Sequence, residues 1–437
     1  MKRALLSFWI VLFLTGSFLY AQSVQGEERA NIAYRGSRNY ELVERTDLRR
    51  YDNGKYIGLT SREVRSFIIN KGELYDGFFY VLQQTKHDAR KVNRGINDSI
   101  SSVFTIDEDG DLCMIEDNGF PSFRSFPAFT VHEVKKGESW HASASRAVDP
   151  LEKGIFTILP MYVEYTYTGD SVTESGEEVF VLTAKWATRY GGSVWDDGGD
   201  PSLVSAQGSH SATMHVSKET GCALVVRDSV DEQFTYANGT TVRFKGTISL
   251  FTKYPPAIDR SKIFPALERR GILTSEESES FISGWLPSSG GGSSSGSSSS
   301  GTSSSKPKVS VTGKKGISVS DTDSGLMLTM QNLRFKPDSA ELLAEEKERL
   351  DDIAEILKEV PGSLFLVEGH TASTGNPSGE KTLSLERAHA IVNALVARGI
   401  PLEQFICRGS GSSKPVASNS TPEGMAQNRR VEITILE

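Results

Sequence analysis

Ser288 to Ser305 reads SSGGGSSSGSSSSGTSSS, eighteen residues drawn only from Ser, Gly and Thr. Such a run cannot bury enough apolar surface to offset the entropy of ordering it. It reads as a linker, and it divides the 437 residues into a long N-terminal part and a shorter C-terminal part. Treated as a random coil, its ends stand roughly 23 Å apart, which predicts flanking parts that move nearly independently. With 38% apolar and 24% charged residues, the chain supports two or three domains at roughly 100–200 residues each. A net charge of −8 gives no basic field to gather phosphate backbones, which argues against nucleic acid as a partner.

The N-terminus predicts export. MKR is a positive n-region, ALLSFWIVLFLTGSFLY an apolar run, and Ala21 a small residue before polar sequence, so residues 1–21 read as a signal peptide. An uncleaved anchor is the alternative, although the apolar core is shorter than the roughly 20 residues that span a bilayer comfortably. Leu19 leaves the cleavage point open, and no nearby cysteine offers a thiol for a lipid. Cys113, Cys222 and Cys407 are far apart and lack CxxC spacing, so neither zinc nor a thioredoxin-like pair is supported. Cys113 and Cys222 could pair in an oxidising compartment; the stronger reading has single buried cysteines acting as small apolar residues.

Strand signals dominate residues 101–256. Met161, Val163, Tyr165 and Tyr167 alternate onto one face, EEVFVLTAKWATRY follows, and Val242, Phe244, Gly246, Ile248 and Leu250 alternate against polar residues. DEDGD, YTGDSVTESGE and YANGT read as turns. Residues 22–100 read as a mixed α/β segment: LTSREVRSFIINKG predicts a short helix capped by Thr60 or Ser61, and QQTKHDARKVNRGI a second. Residues 257–287 read as a helical exit. The N-terminal part is therefore expected to be a soluble, β-rich sandwich or barrel-like domain. Some strands reach the roughly 9–11 residues of a membrane barrel, but Lys185, Arg189, Arg243 and Lys245 fall within them. An outer-membrane barrel stays as an alternative.

Residues 306–437 alternate strand and helix. LMLTMQNLRF is a strand, and Asp338 with Glu341 matches a capping box for a helix over 339–359. LFLVEG is a second strand, and a second helix at about 382–398 lines up Ala388, Ile391, Val392, Leu395 and Val396. FICRG and RVEITIL complete an α+β domain with two helices on one sheet.

Four motifs in order, LRFKPDSAELL, EGHTASTG, LSLERAHAIVNALVARGI and CRGSGSSKPVASNSTPEGMAQNRRVEI, resemble the OmpA C-terminal-like domain shared with Pal and MotB. The β-rich part more loosely resembles the N-terminal part of spirochaetal OmpA-like envelope proteins. The resemblance implies a periplasmic module that holds peptidoglycan non-covalently, gripping diaminopimelate between an aspartate after GHT and the arginine of LSxxRA. Arg387 stands at the arginine position, Thr371 and Gly375 keep their loop places, and Ala372 replaces the aspartate. Glu380 replaces a common asparagine, and Asp338, Thr371, Ala372, Gly375, Glu380, Arg387 and Arg429 form the degenerate peptidoglycan-binding set. Glu380 or Glu368 could supply part of the missing charge. Arg429 and Arg430 are expected to pair carboxylates near the last strand, His370 to hydrogen-bond the loop rather than bind metal, and Asn428 to satisfy backbone groups.

No enzyme constellation emerges. Gly292 to Gly296 matches GxSxG only inside the linker, where a nucleophile elbow cannot form. Asp107, Asp109, Asp111 and Asp196, Asp197, Asp200 lack calcium-loop spacing and read as turns. The expectation is a non-enzymatic envelope protein without cofactor or metal, periplasmic and open to outer-membrane association. Its partner is peptidoglycan, held weakly or in altered form, or another envelope protein. A genuine wall anchor using Arg387 and substitute groups is the second reading.

Overall fold

The computed structural model describes residues 29–36, 38–86, 92–94, 99–191, 198–283, 310–312, 314–336 and 339–437. The expected signal peptide, the Ser/Gly run, the acidic pair Asp196 and Asp197, and Asp338 lie outside the described residues. No helix among those described is long and apolar enough to cross a membrane.

The N-terminal part is one curled antiparallel sheet. Its strands are β1 (Tyr40–Asp52), β2 (Lys55–Asn70), β3 (Tyr75–Lys86), β4 (Ile100–Ile106), β5 (Leu112–Glu116), β6 (Phe123–Arg124), β7 (Ser139–Val148), β8 (Thr157–Val172), β9 (Glu178–Tyr190), β10 (Leu203–Ser217), β11 (Ala223–Tyr236) and β12 (Thr241–Lys253). Two meanders join where β1 pairs with β12, giving the order β5-β4-β3-β2-β1-β12-β11-β10-β9-β8-β7-β6. A side strand, Val92–Arg94, pairs with β3. The sheet edges β5 and β6 are consecutive in the chain, so the sheet nearly closes into a barrel. Side chains bridge the gap: Ser125 Oγ accepts from Leu112 N at 3.0 Å, and Arg124 grips Asp117 through two nitrogens at 2.7 and 2.6 Å. Asn53 and Gly54, both at positive φ, turn β1 into β2 as a two-residue loop that matches the strand twist.

The predicted alternation is borne out in β8, where Met161, Val163, Tyr165 and Tyr167 all point into the core while Tyr162 and Glu164 face outward. Phe120, Phe123 and Phe129 from the β5–β7 connection fill part of the interior. Cys113 is exposed, Cys222 buried, and both are free.

Two helix predictions fail. LTSREVRSFIINKG lies in β2 and its turn, and Gln83–Lys86 of the second segment belongs to β3, paired with Val92–Arg94. No helix occurs before Arg260 among the described residues, so the mixed α/β character expected for residues 22–100 gives way to sheet. In β2, Val64 and Ile68 enter the barrel core while Phe67 and Ile69 are buried on the opposite face. A strand buried on both faces loses its two-residue alternation, and Val64, Phe67 and Ile68 then imitate helical spacing.

The covering of that outer face is the C-terminal domain. Its sheet runs β13 (Ser310–Thr312), β14 (Ile317–Thr322), β15 (Gly325–Gln331), β18 (Arg430–Leu436), β16 (Phe365–His370), β17 (Phe405–Gly411) in spatial order, with only β16 and β17 parallel. Helices α3 (Lys347–Lys358) and α4 (Pro377–Val396) supply Leu350, Ile353, Leu357, Ile391, Val392 and Leu395 to its core. A short α5 (Pro422–Asn428) precedes the last strand. The first helix starts at Lys347 after a 3₁₀ turn at Ala344–Glu346, eight residues later than the capping box predicts. Glu341 is instead an ion-pair partner of Lys336. The second starts at Pro377, five residues earlier than predicted, because Asn376 caps it by accepting from Gly379 N at 3.1 Å and Pro377 costs nothing at the first helical position.

The exit helices α1 (Arg260–Arg269) and α2 (Ser275–Ser283) put Ile263, Phe264, Leu267 and Phe281 into the same core as α3. The Ser/Gly run therefore connects two pieces of one core, and the independent motion predicted for its flanks does not fit. The barrel also docks on this domain. Phe67, Ile69 and Phe78 pack against Leu366, Ile406 and Leu436, and Arg408 lies 4.6 Å from the Phe78 ring centroid. Asn39 donates to the Glu437 carbonyl at 2.7 Å, and Arg260 pairs with Glu437 at 2.6 Å and Asp321 at 3.1 Å.

Candidate functional site

The end of β16 is held against α4 by close backbone approach. A Cβ on Gly369 would stand 2.0 Å from the Ser384 carbonyl oxygen, and one on Gly409 would stand 2.6 Å from that of Lys381. Only glycine permits this spacing. Gly411 N donates to Ser384 Oγ at 2.8 Å, and Thr371 N donates to the Gly411 carbonyl at 2.8 Å. These contacts launch the loop 371–376 from a rigid base.

The loop closes on Glu380 from the first turn of α4. Its carboxylate accepts from Thr374 N at 2.5 Å, Thr374 Oγ1 at 3.0 Å, Asn376 N at 3.3 Å and Ser412 Oγ at 2.5 Å. The Ser412 hydroxyl and the loop donors bring its pKa down to about 2. Gly375 takes φ +88°, a turn conformation that a side chain would strain. Asn419 Oδ1 accepts from Ser373 N at 3.1 Å, and Asn428 fixes Asn419 at 2.8 Å while its own oxygen accepts from Val416 N and Ala417 N. The backbone role expected of Asn428 is what the geometry shows.

Ala372 is 5% exposed in this frame. Arg387, half-buried on α4, lies 4.8 Å from the Phe335 ring centroid, and its Nε donates to the Ser339 carbonyl at 3.3 Å. Arg429 is exposed at the end of α5, whereas Arg430 is buried and pairs with Glu432 at 2.7 Å. Of the expected arginine pair, only Arg430 forms a carboxylate contact that the geometry defines.

Glu368 is buried under β17 and the following loop. It accepts from Ser410 Oγ and from Lys414 Nζ at 2.8 Å, with Arg408 at 3.9 Å. Burial would raise its pKa, but Arg408, Lys414 and His370 carry it below the usual value. Glu368, His370 and Glu432 bring three ligand atoms within 4.8 Å of one another, the arrangement in this domain that most resembles a metal site. Lys414 and Arg430 already neutralise the two carboxylates, so a divalent cation would enter against fixed positive charge. His370 Nε2 faces Glu432 at 3.3 Å, off the hydrogen-bond direction, and neither ring nitrogen has a hydrogen-bond partner. The loop-bonding role expected of His370 is not what the geometry shows. Burial would raise Glu432 too, yet His370 and Arg430 bring it down to about 2.

Residues 334–429 match the model of the OmpA family. The C-terminal domain is an OmpA-family domain. It is 40% identical over 121 residues to the probable lipoprotein YiaD of Escherichia coli, covering 28% of this chain and 55% of that protein. It is 40% identical over 103 residues to the peptidoglycan-binding protein ArfA of Mycobacterium tuberculosis, covering 24% of this chain and 32% of that one. The chain thus spans about half or less of the length of these relatives. An outer membrane protein structure from Borrelia burgdorferi shares 34% identity across 28% of this chain and 97% of its own, with a TM-score of 0.24. It is also similar to the outer membrane protein A of Bordetella avium, at 35% identity over 102 residues, and to the outer membrane porin F of Pseudomonas aeruginosa, at 34% over 105 residues.

The role of Glu380 as the hub of its loop was missed by sequence reasoning. A signal was present: Asn376-Pro377 marks a capped helix start, which places Glu380 in the first turn facing back toward the loop.

Proposed function

We propose that this protein is a non-enzymatic envelope component whose OmpA-family domain holds diaminopimelate-type peptidoglycan weakly or not at all. The observation that carries this is the fate of the carboxylates. Ala372 stands where the ammonium partner would be, and the two nearby glutamates that could replace it are committed, Glu380 to three loop donors and Ser412, and Glu368 to Lys414 and Ser410. Removing one partner of a desolvated charge pair costs about 2–5 kcal/mol, roughly thirtyfold to several thousandfold in affinity. The family aspartate position, the arginine role of Arg387 and the contributions of Asp338, Thr371, Gly375 and Arg429 belong to this reading.

A genuine anchor is the second reading, supported by Arg387 at the motif's arginine position, where its guanidinium lies over the Phe335 ring and donates to the Ser339 carbonyl. Sedimentation of the full mature chain with purified peptidoglycan separates the two. We expect Ala372→Asp to sediment at least tenfold more strongly than the natural sequence. Equal sedimentation, lost on Arg387→Ala, establishes the second reading instead.

The barrel is read as water-exposed. Its outward positions carry Lys185 and Arg189 on β9, Arg227 and Asp231 on β11, and Arg243 and Lys245 on β12, three strands where a membrane barrel presents an apolar band. Heat treatment before gel electrophoresis is expected to leave its mobility unchanged; a shift would restore the membrane-barrel reading.

A further inference from the structure

A cavity of about 690 Å³ opens inside one end of the barrel, between β1 and β2 on one side and β7, β11 and the 149–156 loop on the other. That volume lies within the roughly 300–1,000 Å³ of small-molecule sites. Its walls set apolar side chains, Leu48, Val81, Ile100, Phe156, Phe234 and Phe244 among them, beside seven charged ones. An uncommitted hydrogen-bonding surface, which a compact polar metabolite would need, is scarce there.

The charged groups in the wall are spoken for, with one exception. Glu232 accepts from Arg146 at 2.8 Å and Thr188 at 2.5 Å and contacts His210 at 2.8 Å. Glu44 takes the Ser122 hydroxyl, Asp149 accepts from Lys153 N and Gly154 N, and Arg50 pairs with Asp52 at 2.8 Å. Glu152 is exposed on the rim. Arg62, an inward position of β2, has the Phe120 ring at 5.6 Å and no carboxylate partner among the described residues. A guanidinium over an aromatic face, at the edge of an apolar cavity, is weakly hydrated and offers a planar fork to an oxyanion.

We propose that this end of the barrel binds a single-chain amphiphile with an anionic head, its acyl chain in the cavity and its carboxylate or phosphate on Arg62. The apolar part of the wall accepts a methylene chain without a polar penalty, and Arg62, without a carboxylate partner among the described residues, fixes which end faces out. The site is independent of the OmpA-family loop.

The test titrates purified full-length protein with oleate, lysophosphatidylglycerol and uncharged monoolein below their critical micelle concentrations, reading bound lipid by native mass spectrometry and affinity by calorimetry. One equivalent of an anionic lipid is expected to bind, at least tenfold more tightly than monoolein. Arg62→Gln should weaken the anionic lipid about ten- to a hundredfold and leave monoolein unchanged, and Arg62→Lys should restore part of the loss. Thr60→Trp, which narrows the mouth, should weaken all three. Oleate binding alone assigns a carboxylate head, and lysophosphatidylglycerol alone a phosphate. Failure of both anionic lipids to bind stoichiometrically, monoolein binding as tightly as they do, or equal binding by natural and Arg62→Gln proteins would each overturn the proposal.

Discussion

The barrel interior and the OmpA-family loop both bury charge, but they close their accounts differently. In the barrel, His210 sits between Asp228 and Glu232 at 2.6 and 2.8 Å, stacks on Trp186 at 4.4 Å between ring centroids, and shares Glu232 with Arg146. Acid and base are both supplied by the protein, so the cluster is structural. At the loop, Glu380 is satisfied by neutral donors, and position 372, where the proposed reading places the ligand's carboxylate partner, holds Ala372. A charge the fold already satisfies is unavailable to a ligand, and recognition depends on those left over. Among the wall residues of the cavity, Arg62 is such a group; in the loop, no carboxylate is.

The largest effect that would test this contrast is expected at Glu232. Burial raises its pKa, but Arg146 and His210 drive it well below the usual range, and His210 is correspondingly raised although burial opposes its charge. Glu232→Gln leaves Arg146 without its anion and His210 with Asp228 alone, and removing one partner of a buried pair costs about 3–5 kcal/mol. Chemical denaturation should show that loss. A cost below 1 kcal/mol would mean the cluster is solvated and not comparable with the loop at all.

Next in size is the junction between the two regions. Phe67 is fully buried against the C-terminal domain, and Phe67→Ala should cost about 3 kcal/mol. Calorimetry is expected to resolve the single transition of a coupled molecule into two. If one transition persists with an unshifted midpoint, the docking of barrel on sheet is not a coupling interface.

That junction also marks the limit of what pattern reading could reach. β8 and β12 were legible because each buries one face, leaving clean alternation at Met161 to Tyr167 and at Val242 to Leu250. β2 was illegible because Phe67 and Ile69 answer to a partner more than 280 residues away in sequence, which no local period encodes. The helical pattern of α1 was visible, yet nothing in it says that Ile263, Phe264 and Leu267 join a core assembled beyond the Ser/Gly run. Composition of a linker describes the linker alone. At the loop, motif spacing singles out Ala372 and Arg387 as candidates, while the commitment of Glu380 depends on where Thr374 and Asn376 fold back.

The smallest effect, and the one aimed most directly at the contrast, is Glu380 itself. Its carboxyl falls from an ordinary value of 4.5 to about 2 in the folded protein. A depressed carboxylate stabilises above its unfolded pKa and loses that contribution as pH falls through the folded value, so the loop should loosen between about pH 5 and pH 2. Hydrogen exchange at Thr374 N and Asn376 N reads this directly. Glu380→Ala, which orphans these donors, should cost about 1–2 kcal/mol and abolish the local pH dependence. Glu380→Gln keeps an acceptor and should cost less. In an Ala372→Asp background, Glu380→Gln should leave peptidoglycan sedimentation unchanged, because a carboxylate used for the loop is not used for the ligand. A large loss there would move Glu380 from the structural side of the comparison to the binding side.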